Sequence, residues 1–189
     1  MSFENKILHD RRIAILATDG FDESQLFSPK KALEEAGAKV VIVSNHKGKI
    51  KAWSKDHWGK SIDVDTTLNE CNSEQFDGLV IPGGEKNPET LLHDKNVANF
   101  IKDFVYDGKS VASICHGIRV LLDTGMAKGK TITLWSNLKN DVISSGAKWK
   151  DDEVVVHKGI ITSRCPNENE NFNRKMIEGF AISPKIKHA

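Results

Sequence analysis

The feature that most constrains this chain is its repeated switch between short, wholly apolar runs and longer segments with helical spacing. Ile13-Ala14-Ile15-Leu16-Ala17 is apolar throughout and is broken by Thr18-Asp19-Gly20, the pattern of a strand buried on both faces. Ser24 to Ala36 then places Leu26, Phe27, Ala32, Leu33 and Ala36 near helical spacing, with Gly37 where a helix C-cap glycine belongs. Lys39 to Ser44 reads as the second strand. Asp77 to Ile81 is a strand stopped by Pro82-Gly83-Gly84, and Asp94 to Tyr106 carries Val97, Phe100, Ile101, Phe104 and Val105 on one helical face before Gly108. Ser110 to Ile114 is a further buried strand, followed by Cys115-His116-Gly117 and a short helix through Leu122. Strands that alternate with helices imply a parallel sheet covered on both faces, because parallel neighbours need crossover connections.

The rest of the chain extends this pattern with less regularity. Asn45 to Asp65 is polar and bears Trp53 and Trp58, which suits a hairpin or surface excursion. Thr131 to Leu134 and Val154 to Val156 are expected as strands, the latter pairing with Ile160 to Thr162 across Lys158-Gly159. A last helix is expected from about Glu168 to Phe180. A length of 189 residues with 39% hydrophobic content fits one domain, taken here as residues 11–183 between flexible termini at 1–10 and 184–189.

Charge and cysteine usage exclude several classes. A formal net charge of +1 gives no electrostatic footprint for nucleic acid or for an anionic membrane. Met1 to Arg12 is polar and charged, and no apolar run is long enough to span a bilayer, so a cytoplasmic protein is expected. The three cysteines are far apart and lack CxxC pairing, against a disulfide framework and in keeping with a reducing compartment. His46, His57, His93 and His157 have no metal-ligand spacing, and neither metal nor cofactor is expected.

In an open parallel sheet, ligands bind beyond the carboxyl ends of the strands. Pro82-Gly83-Gly84 and Cys115-His116-Gly117 both follow strands and should meet at that edge. Cys115 has two readings. A free cysteine is commonly a small buried hydrophobe; at a strand-to-helix elbow, close to backbone N–H groups and a positive helix end, it is a candidate low-pKa nucleophile. His116 follows it directly, and is either a structural histidine or a partner brought round by the turn. Gly83-Gly84 is either a tight turn or a source of N–H groups for an oxyanion. Trp53 and Trp58 either cover core or line a pocket. Cys71 reads as incidental, and Cys165 as structural packing or an exposed thiol near the site.

Ile81-Pro82-Gly83-Gly84, Asn87-Pro88-Glu89 and Val111-Ala112-Ser113-Ile114-Cys115-His116-Gly117 together resemble the ThiJ/PfpI superfamily, and specifically its PfpI branch. Trp58-Gly59, Leu134-Trp135, Lys139-Asn140-Asp141, Ser163-Arg164 with Pro166, and Phe172-Asn173-Arg174-Lys175 extend the resemblance over nearly the whole chain. These proteins are known variously as intracellular peptidases, deglycases, glyoxalases and stress chaperones. The resemblance implies a flavodoxin-like, class I glutamine amidotransferase-like three-layer sandwich that assembles as a homodimer or a hexameric ring. It implies Cys115 as nucleophile, His116 as its base, and the backbone of Gly84 and His116 as the oxyanion hole. It also implies Glu89 as the carboxylate, supplied by a neighbouring subunit, that orients the histidine; the same residue also reads as an ordinary solvated carboxylate in a first helical turn.

Two positions depart from the family pattern. The glutamate expected beside the cysteine, four residues before Pro29, is Gln25, with Asp22 and Glu23 nearby. An amide N–H can donate to a thiolate but cannot shuttle a proton, so Gln25, with Asp22 as a possible substitute, is assigned to poising the thiolate. Cys165-Pro166-Asn167-Glu168 lacks the family's aspartate. The expected function is a cysteine-dependent hydrolase or lyase acting on small carbonyl adducts or peptides. The alternative is a weakly active or non-enzymatic stress or redox-sensing protein with an oxidisable Cys115.

Overall fold

The computed structural model describes residues 6–165 and 169–186. A seven-stranded sheet runs in the order β10-β11-β7-β6-β1-β2-β5. The central strands β1 (Arg12–Leu16), β2 (Lys39–Ser44), β6 (Gly78–Ile81), β7 (Ser110–Ile114) and β11 (Ile160–Ser163), with the edge strand β5 (Thr66–Thr67), are all parallel to one another. Only the other edge, β10 (Val154–His157), is antiparallel. It turns through Lys158 and Gly159, whose φ values of 49° and 77° are those of a tight primed turn that glycine favours.

The sheet's side-chain alternation sorts its residues into two cores. Ile13, Ile15 and Ala17 pack with Leu26 and Leu33 of α1 (Glu23–Glu35) and with Phe172, Met176 and Phe180 of α6 (Asn169–Ile182). Ala14 and Leu16, facing the other way, pack with Phe100, Ile101 and Phe104 of α3 (Lys95–Tyr106) and Ile118 and Leu121 of α4 (Ile118–Asp123). Each fully buried Ile, Leu or Phe contributes about 1.5–3 kcal/mol, which is why the wholly apolar runs become the sheet's centre. Gly78 is required where α6 crosses the sheet: a Cβ there would lie 2.5 Å from the Phe180 ring.

The excursion over Asn45–Asp65 is an antiparallel hairpin of β3 (Lys49–Ser54) and β4 (His57–Asp63), outside the main sheet. The strand expected over Thr131–Leu134 is cut to β8 (Thr131–Ile132), paired in its own ladder with β9 (Lys148–Trp149). The reason is local. Thr133 N–H goes to Thr162 Oγ1 and its hydroxyl to Asp152 O, so side-chain bonds replace a ladder. Two short helices, α2 (Asn87–Leu92) and α5 (Lys139–Ser144), have too few turns to show a periodicity in sequence. The expected helix start at Glu168 lies outside the described residues.

Residues expected as flexible termini make tertiary contacts where they are described. Leu8 is fully buried and its N–H donates to Ala36 O at 2.9 Å. At the other end, Ile186 N–H donates to the buried Asp77 Oδ1 at 2.6 Å, while Arg11 donates to the carbonyls of Ser183 and Ala181. Buried backbone groups need such partners, so the two ends are tied to the amino edge of the sheet. Leu8→Ala is expected to lower unfolding free energy by about 2–5 kcal/mol, read from the urea midpoint; an unchanged midpoint would contradict a seated terminus.

Candidate active site

From between β1 and β6 the chain order runs outward in opposite directions, to β2 on one side and to β7 on the other. That reversal opens a crevice at the carboxyl ends of the strands. Three loops meet there. Asn87, itself fully buried, staples two of them: its Oδ1 accepts from Thr18 N–H at 2.7 Å after β1, and its Nδ2 donates to Pro82 O at 2.9 Å after β6.

Cys115 begins a single 3-10 turn leading from β7 into α4, and its φ is +54°. That left-handed conformation costs a non-glycine residue on the order of 1 kcal/mol and turns the side chain out of the strand's alternation. The elbow closes only because Gly117 has no side chain, since a Cβ there would lie 2.6 Å from Ile81 O and 2.7 Å from Pro82 O. Cys115 Sγ is 3.5 Å from His116 Nδ1, so the turn does bring these sequence neighbours together.

Burial, the largest influence on the Cys115 thiol, pushes its pKa up, yet the balance lies below the ordinary value. Hydrogen bonds from the side chains of His116 and Trp135, the imidazolium charge and the His116 backbone N–H together outweigh desolvation. His116 moves upward, chiefly through its hydrogen bond to Cys115, against desolvation and the charge of Arg119, and with help from the charges of Cys115 and Glu85. Opposite shifts in adjacent groups favour a thiolate–imidazolium pair. Cys71, by contrast, is pushed up by burial.

The loop after β6 is held from three directions. Gly83 N–H donates to Gln25 Oε1 at 2.8 Å, Pro82 O accepts from Asn87, and Gly83 O accepts from Asp22 N–H at 3.1 Å. Because the peptide is trans, the Gly84 N–H points opposite to the Gly83 carbonyl and away from Asp22. Gly84 has φ +120°, and a Cβ on it would lie 2.5 Å from Gly20 O. The buried Gln25 thus uses its oxygen on the loop, which leaves only its NH2 as a donor. The Asp22 carboxylate is occupied as the N-cap of α1, accepting from Gln25 N–H and from the Ser24 hydroxyl.

Two adjoining cavities share Gly84, Glu85 and His116. One, of about 710 Å³, holds Cys115 between Gln25 and Asp22, Trp53 of the hairpin and Trp135. The other, of about 620 Å³, is lined by Glu89, His93, Arg119 and Asp123 beside His116. Cys115, His116, Gln25, Asp22 and Gly84 therefore converge on one cavity, and Glu89 stands on α2 in the neighbouring one. Sequence reasoning missed Trp135, Glu85 and Asn87 as site residues. Only the pairing of Leu134 with Trp135 and the Asn-Pro-Glu run hinted at two of them. Among the described residues, no group of three or more His, Cys, Asp or Glu side chains is placed to hold a metal, and no helix is long and apolar enough to cross a membrane.

Residues 11–179 match the DJ-1/PfpI family. The chain belongs to that family. Among DJ-1/PfpI relatives it is 41% identical to "Putative cysteine protease YraA" of Bacillus subtilis, over 88% of this chain and 96% of that protein. It is 34% identical to Protein/nucleic acid deglycase 2 of Escherichia coli, again over 88% and 96%. The fold matches Drosophila melanogaster DJ-1beta with a TM-score of 0.81 at 28% identity, covering 90% of each chain. The mostly parallel, two-sided sheet is thus the flavodoxin-like sandwich of the DJ-1/PfpI fold.

The depressed Cys115 pKa is measurable as thiolate absorbance against pH. The midpoint is expected below the ordinary thiol value of about 8.5; His116→Ala removes the main lowering contact and should move it upward. A wild-type midpoint at the ordinary value would rule out a poised thiol.

Proposed function

We propose that this DJ-1/PfpI protein is a Cys115-dependent hydrolase acting on carbonyl adducts of amines, the deglycase-like end of the family's chemistry. The single observation that carries the reading is the left-handed Cys115 elbow, with its sulfur 3.5 Å from His116 Nδ1 at the floor of an open cavity. An aminocarbinol adduct of a 2-oxoaldehyde first loses its amine: the carbinol O–H electrons form the C=O, the C–N bond breaks and the amine takes up the proton. The Cys115 thiolate then bonds to the freed aldehyde carbon, whose π electrons move onto oxygen, where the N–H groups of Gly84 and His116 stabilise the charge until the imidazolium protonates it. Neutral His116 moves the proton of that carbon to the adjacent ketone carbon through an enediol, so that one carbon is oxidised to a thioester as the other is reduced to a carbinol. Water, giving a proton to His116, then displaces the sulfur and releases a 2-hydroxy acid. Peptide hydrolysis omits the proton shift: the thiolate attacks the amide carbon, the amine departs with the imidazolium's proton, and water displaces the sulfur. Names borne by relatives, deglycase and putative protease, are compatible with either substrate.

In this reading Glu89 acts across a subunit boundary, as the family resemblance implies, approaching the cavity beside His116 of a second copy in a dimer or ring. Asp22 serves the site by capping α1. A second reading is favoured by one observation: Gln25 spends its oxygen on Gly83 N–H and retains no acidic proton. A poised thiolate without an acid beside it suits reversible oxidation, in which peroxide transfers one oxygen to sulfur and water leaves.

The two readings separate in one assay. Methylglyoxal-modified amines and thiols are offered to the wild-type protein, Cys115→Ala and Gln25→Glu. For a hydrolase, Cys115→Ala is expected to lose more than about 100-fold in rate, while an equally active Cys115→Ala would sink the proposal. An inert wild type that gains turnover as Gln25→Glu would favour the redox reading. On mild peroxide treatment, mass spectrometry should find oxygen on Cys115 ahead of Cys71, whose thiol burial holds protonated; the reverse order would contradict both readings.

A further inference from the structure

Glu85 follows Gly84 directly and, among the described residues, is the one carboxylate that lines both cavities. Its side chain is not free to wander. Trp53 Nε1 donates to Glu85 Oε2 at 2.8 Å across 32 residues of sequence. The Trp53 ring is in turn fixed by an edge contact with Trp58 at 5.0 Å and by the Lys86 ammonium, 3.8 Å above its centroid. The β3–β4 hairpin therefore acts as a strut that holds one carboxylate at the mouth of the Cys115 site.

We propose that Glu85, held by the Trp53 indole, is a positioning residue for the Cys115–His116 pair within a single chain, and that it ties the β3–β4 hairpin to the reactive thiol. The proposal rests on reading Cys115 and His116 as the reactive pair. His116 is flanked by Cys115 on its own turn, by Arg119 and Asp123 of α4, by Glu89 and His93 of and just after α2, by Glu85 of the β6 loop, and across the second cavity by Asp22 and by Lys55 of the hairpin turn. Within the chain, Arg119 opposes its protonation and Glu85 supports it. A carboxylate beside an imidazolium stabilises the charged form, so Glu85 helps His116 keep its proton until a leaving group needs it. Glu85 is exposed, which makes this effect modest and dependent on salt.

The test follows His116 by imidazole NMR titration, and Cys115 by thiolate absorbance, in wild type, Glu85→Gln, Trp53→Phe and the double variant. Neither readout requires turnover. Removing the carboxylate is expected to lower the His116 midpoint measurably at low salt, and less at high salt. Trp53→Phe keeps a ring but loses the N–H, and should give a smaller downward shift that disappears in the Glu85→Gln background. An unshifted or raised midpoint in Glu85→Gln overturns the proposal, as does full additivity in the double variant. If Trp53→Phe disorders the hairpin, the Glu85→Gln arm decides alone. A wild-type thiol titrating at the ordinary value sinks the reactive-pair reading itself, a result distinct from an unshifted Glu85→Gln around a depressed thiol.

Discussion

The site depends on how closely the turn after β7 passes the end of β6. Gly117 sits where a methyl group would collide with the Ile81 and Pro82 carbonyls, and that approach holds Cys115 at a positive φ. A strained backbone persists only where its surroundings over-determine it, and here they do so with the fully buried strands on both sides. The sulfur is thereby turned out of the pleat towards the crevice, where both the imidazole and backbone N–H of His116 reach it.

The same crowding organises the facing loop. Gly83 and Gly84 tolerate no side chain, because Gln25 Oε1, Ile114 O, Gly20 O and Asp22 N occupy the space. Every exposed valence of the Pro82–Gly83 peptide is taken: Asn87 holds its carbonyl and Gln25 its N–H. Preorganised donors stabilise developing charge because they need no rearrangement when it appears. This gives Gln25 a role that its chemistry alone did not suggest. It fixes the loop as well as lining the Cys115 cavity, and an amide performs the first task as well as a carboxylate does.

The cavity walls come from elements with weak patterns. Trp53 belongs to a hairpin outside the main sheet, and Trp135 follows a strand cut short by Thr133. Both bring large aromatic surfaces to a site whose floor is built from the most regular strands. Regular elements thus set the position of Cys115, and irregular ones set the shape of the space above it. That division is the usual one, in which binding residues ride on loops held by a rigid scaffold.

The buried strands, the elbow and the glycine turns were legible in the residues because each leaves a local mark: an apolar run, a turn dipeptide, a glycine at a strand end. Cys115, His116 and the Gly83-Gly84 turn followed from them as candidates on a two-sided parallel sheet, with the family resemblance adding Glu89, Gln25, the role of Gly84 and the flavodoxin-like sandwich. The short helices α2 and α5, the truncation of β8 and the seating of Leu8 were not legible, since each depends on partners distant in sequence. The Trp53–Glu85 bond and the Asn87 staple span 32 and 69 residues. Local sequence determines which segments are buried and where the backbone can turn, because hydrophobic burial and steric limits act residue by residue. Which carboxylate the Trp53 indole holds, and which loop N–H the Gln25 oxygen accepts, was decided only when the folded sheet brought those groups within hydrogen-bonding distance.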